Sequence, residues 1–149
     1  MEIIRIKVDV SVCSGCLSCS TMCSMAHEQY ISLRAGRVSV VLHPFESRHQ
    51  IDICRQCGKH PCLVACPEGA IYRDERDIVR INDALCTQCK ICLNACPFDA
   101  IFWNPVSEKV IKCDLCLGQP ECVQACPTGA LTLMILKRDM RSKNQAGAE

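Results

Sequence analysis

Sixteen cysteines dominate the chemistry available to this sequence of 149 residues. They fall into four groups of four, in which two residues always separate the first pair and three residues the last pair. The middle gap alone changes, from two residues to four or five. The groups are Cys13, Cys16, Cys19 and Cys23; Cys54, Cys57, Cys62 and Cys66; Cys86, Cys89, Cys92 and Cys96; and Cys113, Cys116, Cys122 and Cys126. Spacing this regular indicates sets of ligands rather than a choice of small apolar residues for packing.

Chains this rich in cysteine use their thiols for disulfides, for zinc or for iron–sulfur clusters. A secreted disulfide scaffold needs an export signal, and residues 1–8 contain neither an apolar core nor a small-residue cleavage site. No run of about 18 apolar residues occurs, so no membrane span is expected. We therefore expect a cytoplasmic protein with reduced, metal-binding thiols, although export on the signal of a partner stays open.

The spacing within the groups favours iron–sulfur clusters over zinc. Zinc sites usually join two cysteine pairs that are about a dozen or more residues apart, whereas here four cysteines crowd into each group. In bacterial ferredoxins the run Cys-x2-Cys-x2-Cys-x3-Cys-Pro gives three ligands to one [4Fe–4S] cluster and the fourth to another. The third group matches this run through Cys96-Pro97, and the second and fourth groups also end in Cys-Pro. The first group has Ser24 at the position where proline is expected.

The segments between the groups predict an α+β fold. Prolines start a turn after three of the groups, and an apolar strand follows each turn. Residues 93–96 and 123–126 suit one helical turn each, and strands at 38–42 and 49–53 predict a β-hairpin inserted between the first two groups. The other expected strands are 3–10, 70–72, 78–81, 100–103, 109–111 and 130–136.

Charge and motifs exclude several classes of function. Lys and Arg together number 17 and Asp and Glu 16, with no basic block, so we expect no nucleic-acid partner. The sequence contains no Ser/His/Asp arrangement, no phosphate-binding glycine loop and no flavin or nicotinamide fingerprint. We therefore expect no catalytic residues and no enzymatic activity of the chain on its own.

Some basic residues lie beside the cysteines. Because every group already supplies four thiols, the histidines are expected to be surface or hydrogen-bonded residues rather than ligands. His60, inside the second group, could tune the potential of a cluster. Lys90 and Lys112 each adjoin a cysteine and could raise a cluster's potential through their charge, the alternative being ordinary exposed charge. The four histidines are His27, His43, His49 and His60.

The third group resembles the motif of bacterial two-cluster ferredoxins. Residues 3–136 as a whole resemble the four-cluster iron–sulfur subunits of molybdenum or tungsten enzymes, formate dehydrogenases and some hydrogenases. Residues 12–16 and 23–28 are similar to the short members of that family, and the chain is most similar to the small subunit of bacterial tungsten aldehyde oxidoreductase. The resemblance implies four [4Fe–4S] clusters in tandem, pseudo-symmetric modules of the bacterial ferredoxin type.

The resemblance also implies how the cysteines divide, with the first group paired to the fourth and the second to the third. The implied sets are Cys13, Cys16, Cys19 and Cys126 for cluster 1; Cys23, Cys113, Cys116 and Cys122 for cluster 2; Cys54, Cys57, Cys62 and Cys96 for cluster 3; and Cys66, Cys86, Cys89 and Cys92 for cluster 4. The four-cluster domain would span 1–136, with module one from 1–23 and 107–136, the hairpin insertion at 24–53, module two at 54–106, and a flexible tail at 137–149.

The same resemblance implies a hetero-oligomer that transfers single electrons. Its partners would be a catalytic subunit with a tungsten or molybdenum pterin and a flavoprotein or ferredoxin. Three alternatives stay open: a subunit of a hydrogenase, formate or carbon monoxide dehydrogenase; a free polyferredoxin carrier; and a zinc-binding interaction module.

Overall fold

The computed structural model describes residues 2–137, which form short helices and antiparallel ribbons. The strands are β1 (Glu2–Val8), β2 (Val38–Val41), β3 (Gln50–Ile53), β4 (Ile71–Arg73), β5 (Val79–Ile81), β6 (Ile101–Asn104), β7 (Lys109–Lys112) and β8 (Leu131–Lys137). The helices are α1 (Ser18–Glu28), α2 (Pro61–Ala65), α3 (Ile91–Ala95) and α4 (Glu121–Gln124). This mixture confirms the expected α+β class, while the division into pseudo-symmetric modules stays a prediction.

Each strand pairs with one antiparallel neighbour. β1 pairs with β8, placing Glu2 opposite Lys137 and Val8 opposite Leu131. The inserted hairpin is present as β2–β3, and β4–β5 and β6–β7 form the other ribbons of the described chain. Because the first cysteine group follows β1 and the fourth precedes β8, the β1–β8 pairing brings these two distant groups together.

Two apolar clusters fill the interior. The larger contains Ile6, Val38, Ile53, Leu115 and Leu131, so the hairpin packs on the same core as the β1–β8 ribbon. The smaller contains side chains from the other two ribbons, namely Ile71, Val79, Ile101 and Val110. Burying an aliphatic side chain of this size contributes about 1.5–3 kcal/mol. Cysteines belong to both clusters, which explains how a chain with so few aromatic residues still fills its core.

Helix α1 was not predicted, because its sequence is rich in serine and threonine, which favour caps and turns over helix interiors. The helix buries Cys19, Ser20, Cys23 and Ser24, which lie on one face because residues four apart are neighbours on a helix. The Ser20 hydroxyl donates a hydrogen bond to the Val38 carbonyl oxygen at 2.8 Å. Tertiary packing against β2 therefore stabilises a helix that local propensity does not favour.

The remaining boundaries differ from the predictions by a few residues. The expected helical turns at 93–96 and 123–126 start earlier, as α3 and α4, and end before Cys96 and Cys126. The expected insertion at 24–53 includes the second half of α1 besides the hairpin. Strand β8 extends through Lys137, the residue at which the predicted tail begins, and residues 138–149 lie outside the described range.

No helix within residues 2–137 has both the length and the apolar character needed to cross a membrane.

We expect Gly36→Ala to destabilise the protein, because a Cβ at this position would lie 2.9 Å from the Ser20 carbonyl oxygen of α1. Overpacking of this kind costs about 1–3 kcal/mol, so the midpoint of thermal unfolding should fall by roughly 2–4 °C per kcal/mol. Gly58→Ala is the matched control, since a Cβ there meets no atom within 4 Å. Equal midpoints for the two variants would show that α1 and the segment before β2 are not packed as described.

Candidate metal centres

Two small cavities are each lined by four cysteines. Cys13, Cys16, Cys19 and Cys126 line the first, together with apolar side chains that include Val40 and Leu131. Cys66, Cys86, Cys89 and Cys92 line the second, with Ile71, Ile81 and Val110. In both cavities three cysteines come from one group and the fourth from a group far away in sequence. These lining cysteines coincide with the sets implied for clusters 1 and 4.

Six of the other eight cysteines lie in or against the two apolar clusters, and the remaining two, Cys57 and Cys116, are partly buried. Cys122 interacts electrostatically with Cys23 and Cys116, and Cys113 with Cys122, so these four thiols are neighbours. Cys62 interacts in the same way with Cys54 and Cys57. Cys96 packs against the apolar cluster that contains Cys62. These neighbours are members of the sets implied for clusters 2 and 3.

The backbone of the cysteine loops is wound to present N–H groups to sulfur. Left-handed conformations of non-glycine residues concentrate in these loops, although each costs about 1–2 kcal/mol. Such turns gather successive N–H groups into concave sites that bind anions and many Fe–S clusters. The N–H groups of Gln56 and Leu115, within the loops, donate to Cys54 Sγ and Cys113 Sγ, each at 3.4 Å. Outside the loops, the Arg37 N–H before β2 donates to Cys23 Sγ at 3.1 Å. The left-handed residues in and beside the loops include Leu17, Gln56, His60, Gln88, Lys90, Leu115, Cys116 and Leu117.

The turns after Cys66-Pro67 and Cys126-Pro127 supply donors to the last cysteine of their groups. Burial acts to raise the pKa of the Cys66 thiol, but N–H groups of residues 68–71 outweigh it, and the pKa lies below its usual value. Burial likewise acts to raise the pKa of Cys126, and N–H groups of the following turn with the Thr128 hydroxyl outweigh it. Gly69 and Gly129 make these turns possible with φ values of +60° and +72°.

Other thiols, all of them buried, have pKa values above their usual value. Burial raises the pKa of Cys122 to about 12 and that of Cys92 to about 11, and it raises the pKa of Cys113 well above its usual value. Iron binding therefore has to displace protons from these thiols, and the bound metal compensates the charge that burial disfavours. Sulfur donors, apolar walls and inward-facing N–H groups together fit [4Fe–4S] clusters.

His27 is a site residue whose position the sequence analysis missed, because α1 was not predicted. Its Nδ1 lies 2.9 Å from the Cys23 carbonyl oxygen and its Nε2 3.0 Å from Asp114 Oδ1. The Sγ atoms of Cys23 and Cys116 are 3.8 and 3.9 Å from the ring. Burial acts to lower the pKa of His27, but Asp114 and the two sulfurs outweigh it and raise the pKa above its usual value. Both ring nitrogens face acceptors, so His27 is an imidazolium that links α1 to the fourth cysteine group.

The other basic residues near the cysteines differ in exposure. Exposed Lys90 lies over the Trp103 ring, with Nζ 3.7 Å from the ring centroid. His60 is buried and accepts a hydrogen bond from Arg73 at 3.3 Å through its Nε2. Lys112 is also buried, which excludes the alternative of ordinary exposed charge at that position.

The cysteine-lined cavities, short helices and antiparallel ribbons define a ferredoxin-like iron–sulfur protein. The chain belongs to the family of the 4Fe-4S dicluster domain, which matches residues 45–136. The family membership supports bound [4Fe–4S] clusters, and the number of clusters stays a prediction.

Relatives of this chain are subunits of oxidoreductase complexes. Formate hydrogenlyase subunit 2 of Escherichia coli (strain K12) is 37% identical over 83 residues, which cover 56% of this chain and 39% of that protein. The polyferredoxin-like subunit of the aliphatic sulfonate oxidoreductase of Pyrococcus furiosus is 37% identical over 92 residues, covering 59% and 51%. The tetrathionate reductase of Archaeoglobus fulgidus contains a subunit that is 39% identical over 84 residues, covering 55% and 40%. The matches thus span about half or less of each relative, and they are consistent with a non-catalytic subunit.

A solved structure shares the fold over nearly the whole chain. A chain of the active site complex BamBC of benzoyl coenzyme A reductase, in complex with 1,5-dienoyl-CoA, aligns with a TM-score of 0.57. The alignment covers 99% of this chain and 85% of that chain at 22% identity, so it establishes similarity of fold.

We expect His27→Leu to loosen the loop that carries Cys116. Asp114 caps this loop by accepting from the Cys116 N–H at 3.1 Å, and the variant would leave its half-buried carboxylate without a partner cation. The loss should cost about 1–3 kcal/mol and speed the release of iron to a chelator. His43→Leu is the control, because within residues 2–137 the His43 ring forms a long 3.8 Å ion pair with exposed Glu46 and none with a buried carboxylate. Equal rates of iron release in the two variants would contradict a role for the His27 contacts.

Proposed function

We propose that this chain is an electron-transfer subunit that carries four [4Fe–4S] clusters and relays single electrons between a catalytic subunit and a flavoprotein or ferredoxin partner. The observation that carries the proposal is the pair of cavities in which three cysteines of one group meet one cysteine of a distant group. A bound [4Fe–4S] cluster accepts and returns one electron at a time. The chain itself holds the iron, excludes water from it and sets its electrostatic surroundings.

The proposed ligand sets are those given for clusters 1 to 4 in the sequence analysis. Sets 1 and 4 correspond to the two cysteine-lined cavities. The electrostatic neighbours of Cys122, Cys113 and Cys62 include the other members of set 2 and two further members of set 3, together with Cys19 of set 1. Cys96, which packs against the apolar cluster that contains Cys62, is the proposed fourth member of set 3.

Electrostatic interactions between cysteines of different sets support a linear order of the clusters. Cys19 of set 1 interacts electrostatically with Cys122 of set 2, and Cys113 of set 2 with Cys54 of set 3. Cys62 of set 3 interacts with Cys92 of set 4. The sets therefore follow one another in the order 1, 2, 3, 4, which suits transfer along a row.

The two ends of this row are also its points of access. Cys16 of set 1 and Cys89 of set 4 are the exposed cysteines among the described residues, and sets 2 and 3 have no exposed member. We infer that electrons enter near one of these cysteines and leave near the other. One end would face the catalytic subunit and the other the second redox partner.

The proposed catalytic partner is a tungsten or molybdenum aldehyde oxidoreductase in a hetero-oligomer, in line with the resemblance stated for residues 3–136. The polyferredoxin-like subunit of an aliphatic sulfonate oxidoreductase and the fold shared with a chain of the BamBC complex support a partner of the oxidoreductase class. A formate-linked or hydrogenase partner is the second candidate, favoured by 37% identity to formate hydrogenlyase subunit 2.

Anaerobic purification of the native complex tests the assignment of partner. We expect a stable complex that contains about sixteen irons per copy of this chain together with tungsten or molybdenum. Nickel in the complex would favour the hydrogenase candidate, and a monomeric iron protein would favour a free carrier. Zinc in place of iron, or a colourless protein, would overturn the proposed function.

We expect Cys126→Ala to make the cluster of Cys13, Cys16 and Cys19 labile, because Cys126 lines the same cavity as these three thiols. Iron content should fall by up to about four irons per chain, and the EPR signal of one cluster should disappear. Cys96→Ala is the matched variant and should instead affect the cluster of Cys54, Cys57 and Cys62. Damage by Cys126→Ala confined to the cluster of Cys113, Cys116 and Cys122 would contradict the crossed pairing.

A further inference from the structure

Lys112 holds a positive charge in the interior of the protein. It ends β7, directly precedes Cys113 and is 3% exposed. Its Nζ donates to the carbonyl oxygens of Val79 and Cys113, the latter at 2.9 Å. Within residues 2–137 it forms no ion pair with a carboxylate. A buried ammonium without a carboxylate partner is unfavourable unless other negative groups compensate it.

Gln56 binds the same two backbone residues as Lys112. It lies between Cys54 and Cys57 and is 2% exposed. Its Nε2 donates to the Cys113 carbonyl oxygen at 3.0 Å, and its Oε1 accepts from the Val79 N–H at 2.8 Å. This buried network ties the loop of the second cysteine group to the start of the fourth. It thereby fixes Lys112 at the junction of the two loops.

The charge of Lys112 acts on thiols of two different ligand sets. Burial raises the pKa of Cys62, and Lys112 is the largest effect that opposes this rise. Burial also raises the pKa of Cys113, and Lys112 again opposes it. Because Lys112 and Gln56, which lies between Cys54 and Cys57, both donate to the Cys113 carbonyl oxygen, the ammonium lies where ligand sets 2 and 3 adjoin.

Other cations in this region have a carboxylate partner. Arg5 and Arg73 both form ion pairs with Asp77, at 3.0 and 2.5 Å. Lys109, on the same strand as Lys112, is exposed and pairs with Asp83 at 3.1 Å. Exposed Lys90 beside Cys89 is screened by solvent, which weakens its effect on sulfur. Lys112 therefore combines burial with proximity to two ligand sets.

A cation at this place favours electrons on the inner clusters. Four thiolates and an oxidised core of charge +2 sum to −2, and one further electron makes the sum −3. Apolar surroundings disfavour this added negative charge, and sets 2 and 3 have no exposed cysteine, whereas set 1 has exposed Cys16 and set 4 exposed Cys89. Without compensation the inner clusters would be harder to reduce than the outer ones.

We propose that Lys112 is a positioning residue that holds one positive charge between clusters 2 and 3 and raises the reduction potentials of both relative to clusters 1 and 4. The proposal rests on the proposed four-cluster function. In each transfer one cluster is oxidised by one electron and its neighbour is reduced by one, with no proton and no bond exchanged. Lys112 thus keeps the buried middle of the row accessible to electrons from either end.

An anaerobic redox titration followed by EPR tests the proposal on wild type and Lys112→Met. We expect two of the four potentials to fall by at least 59 mV, which is a tenfold change in the ratio of reduced to oxidised cluster. The other two potentials should keep their wild-type values. Cys16→Ser and Cys89→Ser, each altering one exposed ligand, identify the signals of the two outer clusters.

Three further variants separate charge from structure. Lys112→Arg retains the charge and should keep the wild-type potentials, whereas Lys109→Met removes an exposed charge from the same strand and should shift none of them. If Lys112→Met loses iron, the potentials are measured on Lys112→Gln instead. Its amide can still donate to the carbonyl oxygens but carries no charge. Unchanged inner-cluster potentials in an iron-replete uncharged variant, or equal shifts of all four potentials, would overturn the proposal. A wild-type protein with fewer than four clusters would overturn the proposed function instead, so the two failures are distinguishable.

Discussion

The structure depends on the burial of sulfur that has to carry negative charge. Burial alone raises the pKa of the thiols of Cys113, Cys122 and Cys92, so without metal the interior retains protons on them. Bound iron would resolve this conflict by replacing the protons with cationic metal, and backbone N–H groups of the loops would stabilise the sulfurs that remain partly charged. Folding and metal binding are therefore two parts of one equilibrium in a protein of this kind.

The loops that surround the sulfurs have backbone conformations that are energetically unfavourable on their own. Left-handed residues such as Gln56 and Leu115 are unfavourable in an isolated peptide, yet their N–H groups donate to sulfur. Two-stranded ribbons of three to seven residues add little stability of their own. The apolar clusters around the thiols and the metal they hold must therefore supply most of the stability.

Contacts between segments that are distant in sequence determine the electrostatic surroundings of the cysteine sulfurs. The β1–β8 ribbon brings the first cysteine group to the fourth, His27 links α1 to Asp114, and Gln56 joins the second group to Cys113. His27 also lies beside the sulfurs of Cys23 and Cys116, and the Gln56 N–H donates to Cys54 Sγ. The same contacts that hold the loops together can thus set the potentials of neighbouring clusters, and the proposed roles of His27 and Lys112 follow from this coupling.

The sequence by itself determined the class of site and most of the ribbons. The spacing within a cysteine group predicts a metal site because one short loop supplies three of the ligands. The turn after Cys-Pro is likewise predicted by a few neighbouring residues, proline and then glycine. The strand-like segments and the turn between them also predicted the β2–β3 hairpin. The tertiary structure alone decided which cysteines of distant groups line a common cavity, that α1 forms, and that Lys112 is buried while Lys90 is exposed. These outcomes depend on packing between segments far apart in sequence, such as Ser20 against Val38, and local residue preferences carry no information about such contacts.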